Sequence, residues 1–266
     1  MILKVLNIYL IRYNFFIAFC SICVLFYFSI LTENKISPFY YLFTFFGTLA
    51  LYNLFRLSPS FSGLFKKQSM GFSHELIFVS LIICAISFFL IPSNTKYFYL
   101  IPIFLSSLYQ FSIFGLKNLR TFPYFKIMII AFVWVLMALI PFLEYKFTQE
   151  KLHNFYFLTL TQFLFFLSLA IPFDVFDEQK DEIKTLAKML GAKKAIYLSL
   201  FFLLIYLVLH LIENSSFQEK IAYSTITLTS FVTLMNYKRM KAIASQYYFI
   251  DGLIVVQTAI IFLVHK

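Results

Sequence analysis

Four acids in the stretch 171–191, IPFDVFDEQKDEIKTLAKMLG, have the spacing of a binding surface. Asp174, Asp177, Glu178 and Asp181 follow one another at i, i+3, i+4 and i+7, which puts all four on one face of a helix. Five of the chain's 12 Asp and Glu residues fall between 174 and 182, directly after a long apolar run. Carboxylates crowded in this way repel one another unless a cation neutralises them. A hard divalent ion such as Mg²⁺ takes oxygen ligands and bridges carboxylates to substrate phosphates. The other reading of the spacing is a solvated helix start, where acids meet the positive end of the helix dipole and Lys180, Lys184 and Lys188 pair with some of them. Spacing alone leaves both open.

The elements that must position these acids are apolar almost throughout. Hydrophobic residues make up 61% of the 266-residue chain and charged residues 13%, and the mean hydropathy is +0.85. Soluble domains carry about 45–50% apolar and about 25% charged residues, so the composition predicts a multi-pass membrane protein with no large soluble domain. The net charge of +10 is spread through short segments and forms no dense patch, which argues against nucleic acid as a partner. Cys20, Cys23 and Cys84 all lie in apolar runs, where they read as small packing residues.

A spanning helix needs about 20 mostly apolar residues. Runs free of charge are Tyr13–Leu31, Ile36–Phe55, Leu76–Thr95, Tyr97–Leu116, Ile127–Leu143, Leu152–Phe173, Ala195–Ile212 and Ile221–Tyr237; a ninth, Ala242–Val264, is interrupted only by Asp251. Pro92, Ser93 and Asn94 separate the third from the fourth, and Pro141 and Pro172 are expected to end the fifth and sixth. The first run follows Lys4 and Arg12 as a signal peptide would, but at 19 residues it reads as a retained span. With nine spans, 16 of the 22 Lys and Arg residues fall on the side of the N-terminus and six on the other. The positive-inside rule then predicts a cytoplasmic N-terminus, with the acids of 174–181 and the basic positions Arg56, Lys117 and Arg120 at the same membrane face.

The segment PFDVFDEQKDEIKTLAKMLGAKKA resembles the second aspartate motif of the UbiA superfamily of intramembrane prenyltransferases, D-x-x-D-x-x-x-D followed by K-T-L and Leu-Gly. Asp174, Asp177 and Asp181 match the acids; Lys184, Thr185, Leu186, Leu190 and Gly191 match the continuation. The stretch from Tyr109 to Lys126, with Lys117, Arg120 and Pro123, is similar to the family's loop between helices four and five. The resemblance implies one UbiA-like transmembrane domain over 1–266, an all-α integral membrane bundle of nine helices. It further implies a polyprenyl diphosphate held through Mg²⁺, with Asp174, Asp177 and Asp181 as metal ligands and catalytic groups. The prenyl group would pass to a lipophilic or aromatic acceptor at the cytoplasmic face of a bacterial inner membrane.

Where the family's first aspartate motif belongs, the chain has Asn53 but Leu54, Leu57 and Phe61 in place of the acids, and the second motif is about three residues short after Asp181. Arg56 is expected to compensate, because an arginine fork grips a diphosphate without metal. Asn53, Arg56, Tyr109, Lys117, Arg120 and Lys184 are therefore the expected substrate-binding residues. The lost motif supports an alternative, a non-catalytic relative that binds an isoprenoid lipid or a membrane partner. A solute transporter is a third class; polar groups at mid-membrane would mark it, and only Asp251 hints at one. His153 and His210 read as interfacial residues and Trp134 as packing.

Overall fold

The computed structural model describes residues 8–57, 72–92, 94–111, 118–145, 149–177, 185–213, 215–240 and 243–266, and these contain helices and turns with no strand among them. The helices are α1 Phe15–Leu31, α2 Pro38–Leu57, α3 Phe72–Leu90, α4 Leu100–Gln110, α5 Pro123–Leu139, α6 Gln149–Asp177, α7 Leu186–Leu190, α8 Ala192–Ile212, α9 Phe217–Met235, α10 Ile243–Gln246 and α11 Gly252–Val264. A π-turn, Tyr247–Asp251, joins α10 to α11. Each of the nine apolar runs thus contains a helix. Six of these helical stretches are long and apolar enough to cross a membrane: Phe15–Thr32, Ser73–Leu90, Tyr124–Phe142, Leu152–Phe176, Ala192–Ile212 and Tyr247–Val264. The protein is an all-helical, multi-pass membrane protein.

The surface bears this out. On α3, Phe78, Val79, Leu81, Ile82, Ile86, Phe89 and Leu90 are all exposed. In water, a patch of that kind would drive association; facing lipid tails, it costs nothing. Burial inside the bundle instead comes from aromatic side chains, with Tyr27, Phe28, Tyr99, Phe142, Phe165 and Tyr206 almost fully covered.

The helices pack mainly on their sequence neighbours, and α1 also packs on α5. Sequence neighbours α1 and α2, α2 and α3, α4 and α5, and α5 and α6 lie against each other, α8 packs on α6 and α9, and α11 returns to α9 and α1. Hydrogen bonds pin several crossings: Thr258 Oγ1 donates to the Cys23 carbonyl at 3.1 Å, Gln257 Nε2 to Tyr206 Oη at 3.1 Å, and Tyr99 Oη to the Met137 carbonyl at 3.1 Å. Lipid offers no competing partner, so such bonds hold helices that the hydrophobic effect no longer drives together.

Two expectations about boundaries need correction. Pro172 does not end the sixth helix; α6 runs through it to Asp177. Proline removes the N–H that would bond the carbonyl four residues back, here that of Ser168, and Ser199 Oγ on α8 donates to that carbonyl at 2.5 Å instead. The neighbouring helix supplies what the proline withholds. The fourth run is also not one long helix. It begins as a 3-10 turn, Asn94–Tyr99, and its α-helix covers only Leu100–Gln110.

Candidate functional site: a charged cavity beside two apolar ones

Asp174 and Asp177 end a helix instead of beginning one. Asp174 lies in the last turn of α6, where the dipole disfavours negative charge, so the solvated-helix-start reading fails there. Asp174 is instead only 1% exposed. Its Oδ1 sits 2.8 Å from Lys126 Nζ on α5, and its Oδ2 accepts the Ala187 N–H of α7 at 3.1 Å. The carboxylate therefore ties three helices together: it ends α6, neutralises the lysine of α5 and caps the start of α7. Thr185 completes that cap by accepting the Lys188 N–H at 3.2 Å, and Gly191, at φ +81°, makes the sharp join from α7 to α8.

Asp174 and Lys126 open onto a cavity of about 280 Å³ inside the bundle, walled by residues of α1, α2, α4, α5, α6 and the last span. Arg120, in the turn before α5, also lines it, as do Tyr52, Tyr109, Gln110, Trp134, Tyr247 and Asp251. Asp251 is 6% exposed, and its Oδ2 has no hydrogen-bond partner. It sits in the π-turn, against α1, where Cys20 Sγ donates to its carbonyl at 3.4 Å. Asp251 thus faces into the bundle and not out to its surroundings.

The cavity shares Tyr52, Phe55, Tyr109, Ile130 and Trp134 with a second, almost wholly apolar one of about 170 Å³. That one shares Leu51, Ser106 and Met137 with a third of about 130 Å³, which extends between α2, α3 and α4 and includes Leu54. The result is a charged chamber beside two almost wholly apolar cavities, with side chains shared between their walls.

The expected site residues divide. Asp174, Tyr109 and Arg120 line the chamber. Asn53 is 2% exposed and does not line it; its amide receives a bond from Asn14 Nδ2 at 3.2 Å and gives bonds to the Tyr13 and Leu49 carbonyls at 2.9 and 2.8 Å, clamping the start of α1 to α2. Arg56 is exposed and donates to the Arg12 carbonyl at 2.5 Å. Asp177 closes α6, but its side chain, together with Lys117, Asp181, Lys184 and Phe61, lies outside the described residues. Lys126, Trp134 and Asp251 were not expected site residues. Lys126 had one signal, its place at the end of the basic stretch, but nothing in the sequence pairs it with Asp174.

The resemblance implies Mg²⁺, and the described donor set does not fit it. No three His, Cys, Asp or Glu among the described residues stand close enough to hold a metal ion. Leu54 and Leu57 supply no ligand, and both oxygens of Asp174 are engaged. The described residues provide no metal site, and no step below runs through one. Compared with known proteins, the chain matches no family model, no curated relative and no solved structure.

Proposed function

We propose that the chain is a membrane prenyltransferase of the UbiA type, with nine spans and a cytoplasmic N-terminus, in a bacterial inner membrane. One observation carries this reading: a chamber that holds Lys126 and Arg120, together with Asp174 and Asp251, lies beside almost wholly apolar cavities, and an anionic head on a long hydrocarbon tail requires both surroundings. Three helices fall outside the six most apolar ones for reasons compatible with spanning. In α9 the hydroxyls of Ser224, Thr225, Thr229 and Thr233 donate to their own helix's carbonyls four residues back, so its polar content leaves few groups for lipid to solvate. α2 carries Asn53 and Arg56 near one end, and α4 is extended by the turn before it.

In the reaction, the allylic C–O bond breaks and its electron pair leaves with the diphosphate. Lys126 and Arg120 stabilise that charge in a site shielded from water. The aromatic faces of Tyr52, Tyr109 and Trp134 stabilise the allylic cation. An acceptor atom then bonds to the allylic carbon and releases a proton, for which Asp251 is the carboxylate within the chamber.

The test is a thermal shift of the purified protein with farnesyl and geranylgeranyl diphosphates, with and without Mg²⁺. At 100 times Kd, binding adds about 2.7 kcal/mol of stability. A stabilised protein that turns over an aromatic acceptor supports the transferase; no shift with any chain length overturns the reading. The second reading, a non-catalytic isoprenoid binder, draws on the closed Lys126–Asp174 pair and the leucines at 54 and 57. It predicts the shift without release of diphosphate.

A further inference from the structure

Two carboxylates are among the described residues that line the chamber, Asp174 and Asp251, and their surroundings differ. Both oxygens of Asp174 are engaged, by Lys126 and by the Ala187 N–H. Asp251 is also buried, yet no described residue forms an ion pair with it, and its covered Oδ2 has no hydrogen-bond partner. The other oxygen, Oδ1, is not sealed in this way, so the carboxylate meets the chamber through it. A carboxylate taken out of water is normally paired or hydrogen-bonded, because leaving it without a donor is costly.

The wall around Asp251 is a second, independent observation. Tyr52, Phe55, Tyr109, Ile130 and Trp134 form the side of the chamber shared with the apolar cavity, and Asp251 is not among them. The π-turn that carries it packs on α1 and α6. The lining there includes Ile17 of α1, Ile254 of α11, and Phe173 with Tyr247, whose ring centroids are 5.4 Å apart. Apolar and aromatic surface around one polar group is the usual make-up of a site for a flat, lipophilic molecule with a single group to anchor. His210, expected at the interface, is buried as well, but its ring is stacked against Tyr223 near the end of α8.

We propose that this wall holds the acceptor, and that the acceptor is an uncharged aromatic alcohol, a phenol or a hydroquinone, whose O–H donates to Asp251. The inference rests on the transferase reading, from which it takes the need for an acceptor. Charge narrows the class from both sides. An aromatic acid brings a second negative charge to the Asp251 carboxylate, and like charges repel strongly where water is excluded; Lys126 and Arg120 are meanwhile occupied by the diphosphate. An ammonium brings positive charge into a chamber that already holds Lys126 and Arg120. An uncharged hydroxyl avoids both penalties and gives the carboxylate the donor it lacks.

The experiment uses the full chain in micelles and three ring compounds of similar size: naphthol, naphthoate and methylnaphthalene. Each is titrated by calorimetry at neutral pH, with protein-free micelles as the blank. Naphthol is expected to bind saturably and about tenfold or more tighter than the other two, since a site built around a hydroxyl rejects the analogue that lacks it. Asp251→Asn keeps the shape and removes the charge, so naphthoate should then bind at least as tightly as naphthol. In Asp251→Leu, naphthol should keep no advantage over methylnaphthalene. Methylnaphthalene or naphthoate binding the natural chain as tightly as naphthol overturns the proposal, and so does an unchanged order of the three in Asp251→Asn. None of these titrations needs a prenyl diphosphate. A preference for naphthol with no melting shift from prenyl diphosphates overturns the transferase and leaves Asp251 as the anchor of a phenol binder; the shift without the preference overturns this inference alone.

Discussion

Lys126 and Asp174 illustrate how a buried ion pair acts in a protein whose surroundings are lipid and aromatic rings. Each partner is almost fully covered, so the pair holds its place mainly through the cost of breaking it. Removing one partner of a buried pair costs about 3–5 kcal/mol, whereas replacing both with apolar residues of similar size is often neutral. Lys126→Ala is therefore expected to lower unfolding stability by about that amount, and Lys126→Met combined with Asp174→Leu to recover most of it, as read by denaturation in micelles. The same double variant should lose prenyl diphosphate binding, separating the pair's structural role from its role toward ligand. A neutral Lys126→Ala would remove the basis for both statements. Asn53 is expected to behave differently. Two of its three hydrogen bonds join the start of α1 to α2 away from the chamber, so Asn53→Ala should cost about 1–3 kcal/mol while the folded protein keeps its affinity. A loss of affinity with stability intact would instead return Asn53 to the substrate site.

At the scale of the element, α6 shows why a proline rule from water does not transfer to a membrane bundle. Pro172 lies five residues before the end of the helix, and the Ser168 carbonyl it leaves open is taken by Ser199 of α8. The two residues should be coupled. Ser199→Ala is expected to cost about 1 kcal/mol in the natural chain and much less with Pro172→Ala, because alanine restores the helix's own N–H. A double-mutant cycle with additive effects would show that the bond carries no weight. The last span has a related irregularity. The π-turn Tyr247–Asp251 carries Asp251 into the chamber; π-turns recur at functional positions in helices.

For the whole molecule, the two ends of the bundle differ in charge as well as in chemistry. One end gathers Arg120, Lys126 and Asp174 around a chamber; the other gathers Glu33, Glu213 and Glu219 around a cavity. The proposed nine-span topology puts Asn118 and Lys188 on one membrane side and Ser215 and Lys266 on the other. In a background with the native cysteines replaced, Asn118→Cys and Lys188→Cys should react with an impermeant thiol reagent from the same side in oriented vesicles, and Ser215→Cys and Lys266→Cys from the opposite one. Any mixed pairing would break the nine-span topology.

What the sequence determined by itself follows from composition and period. A chain this apolar must place its helices in lipid, and charge-free runs of about 20 residues mark each one with little ambiguity. Nine runs were legible, and each holds a helix. Asp174, Tyr109 and Arg120 were expected together through the motif they resemble, and all three line the chamber. Tertiary structure decided what those residues touch. The sequence shows neither that Lys126 reaches Asp174, nor that Asn53 is occupied within the α1–α2 clamp, nor that Asp251 and His210 are buried. Each of these depends on which helices become neighbours in the bundle, and in a chain that is apolar on nearly every face, no period in the sequence names the neighbour. Packing, hydrogen bonds between helices and the reach of single side chains make that choice.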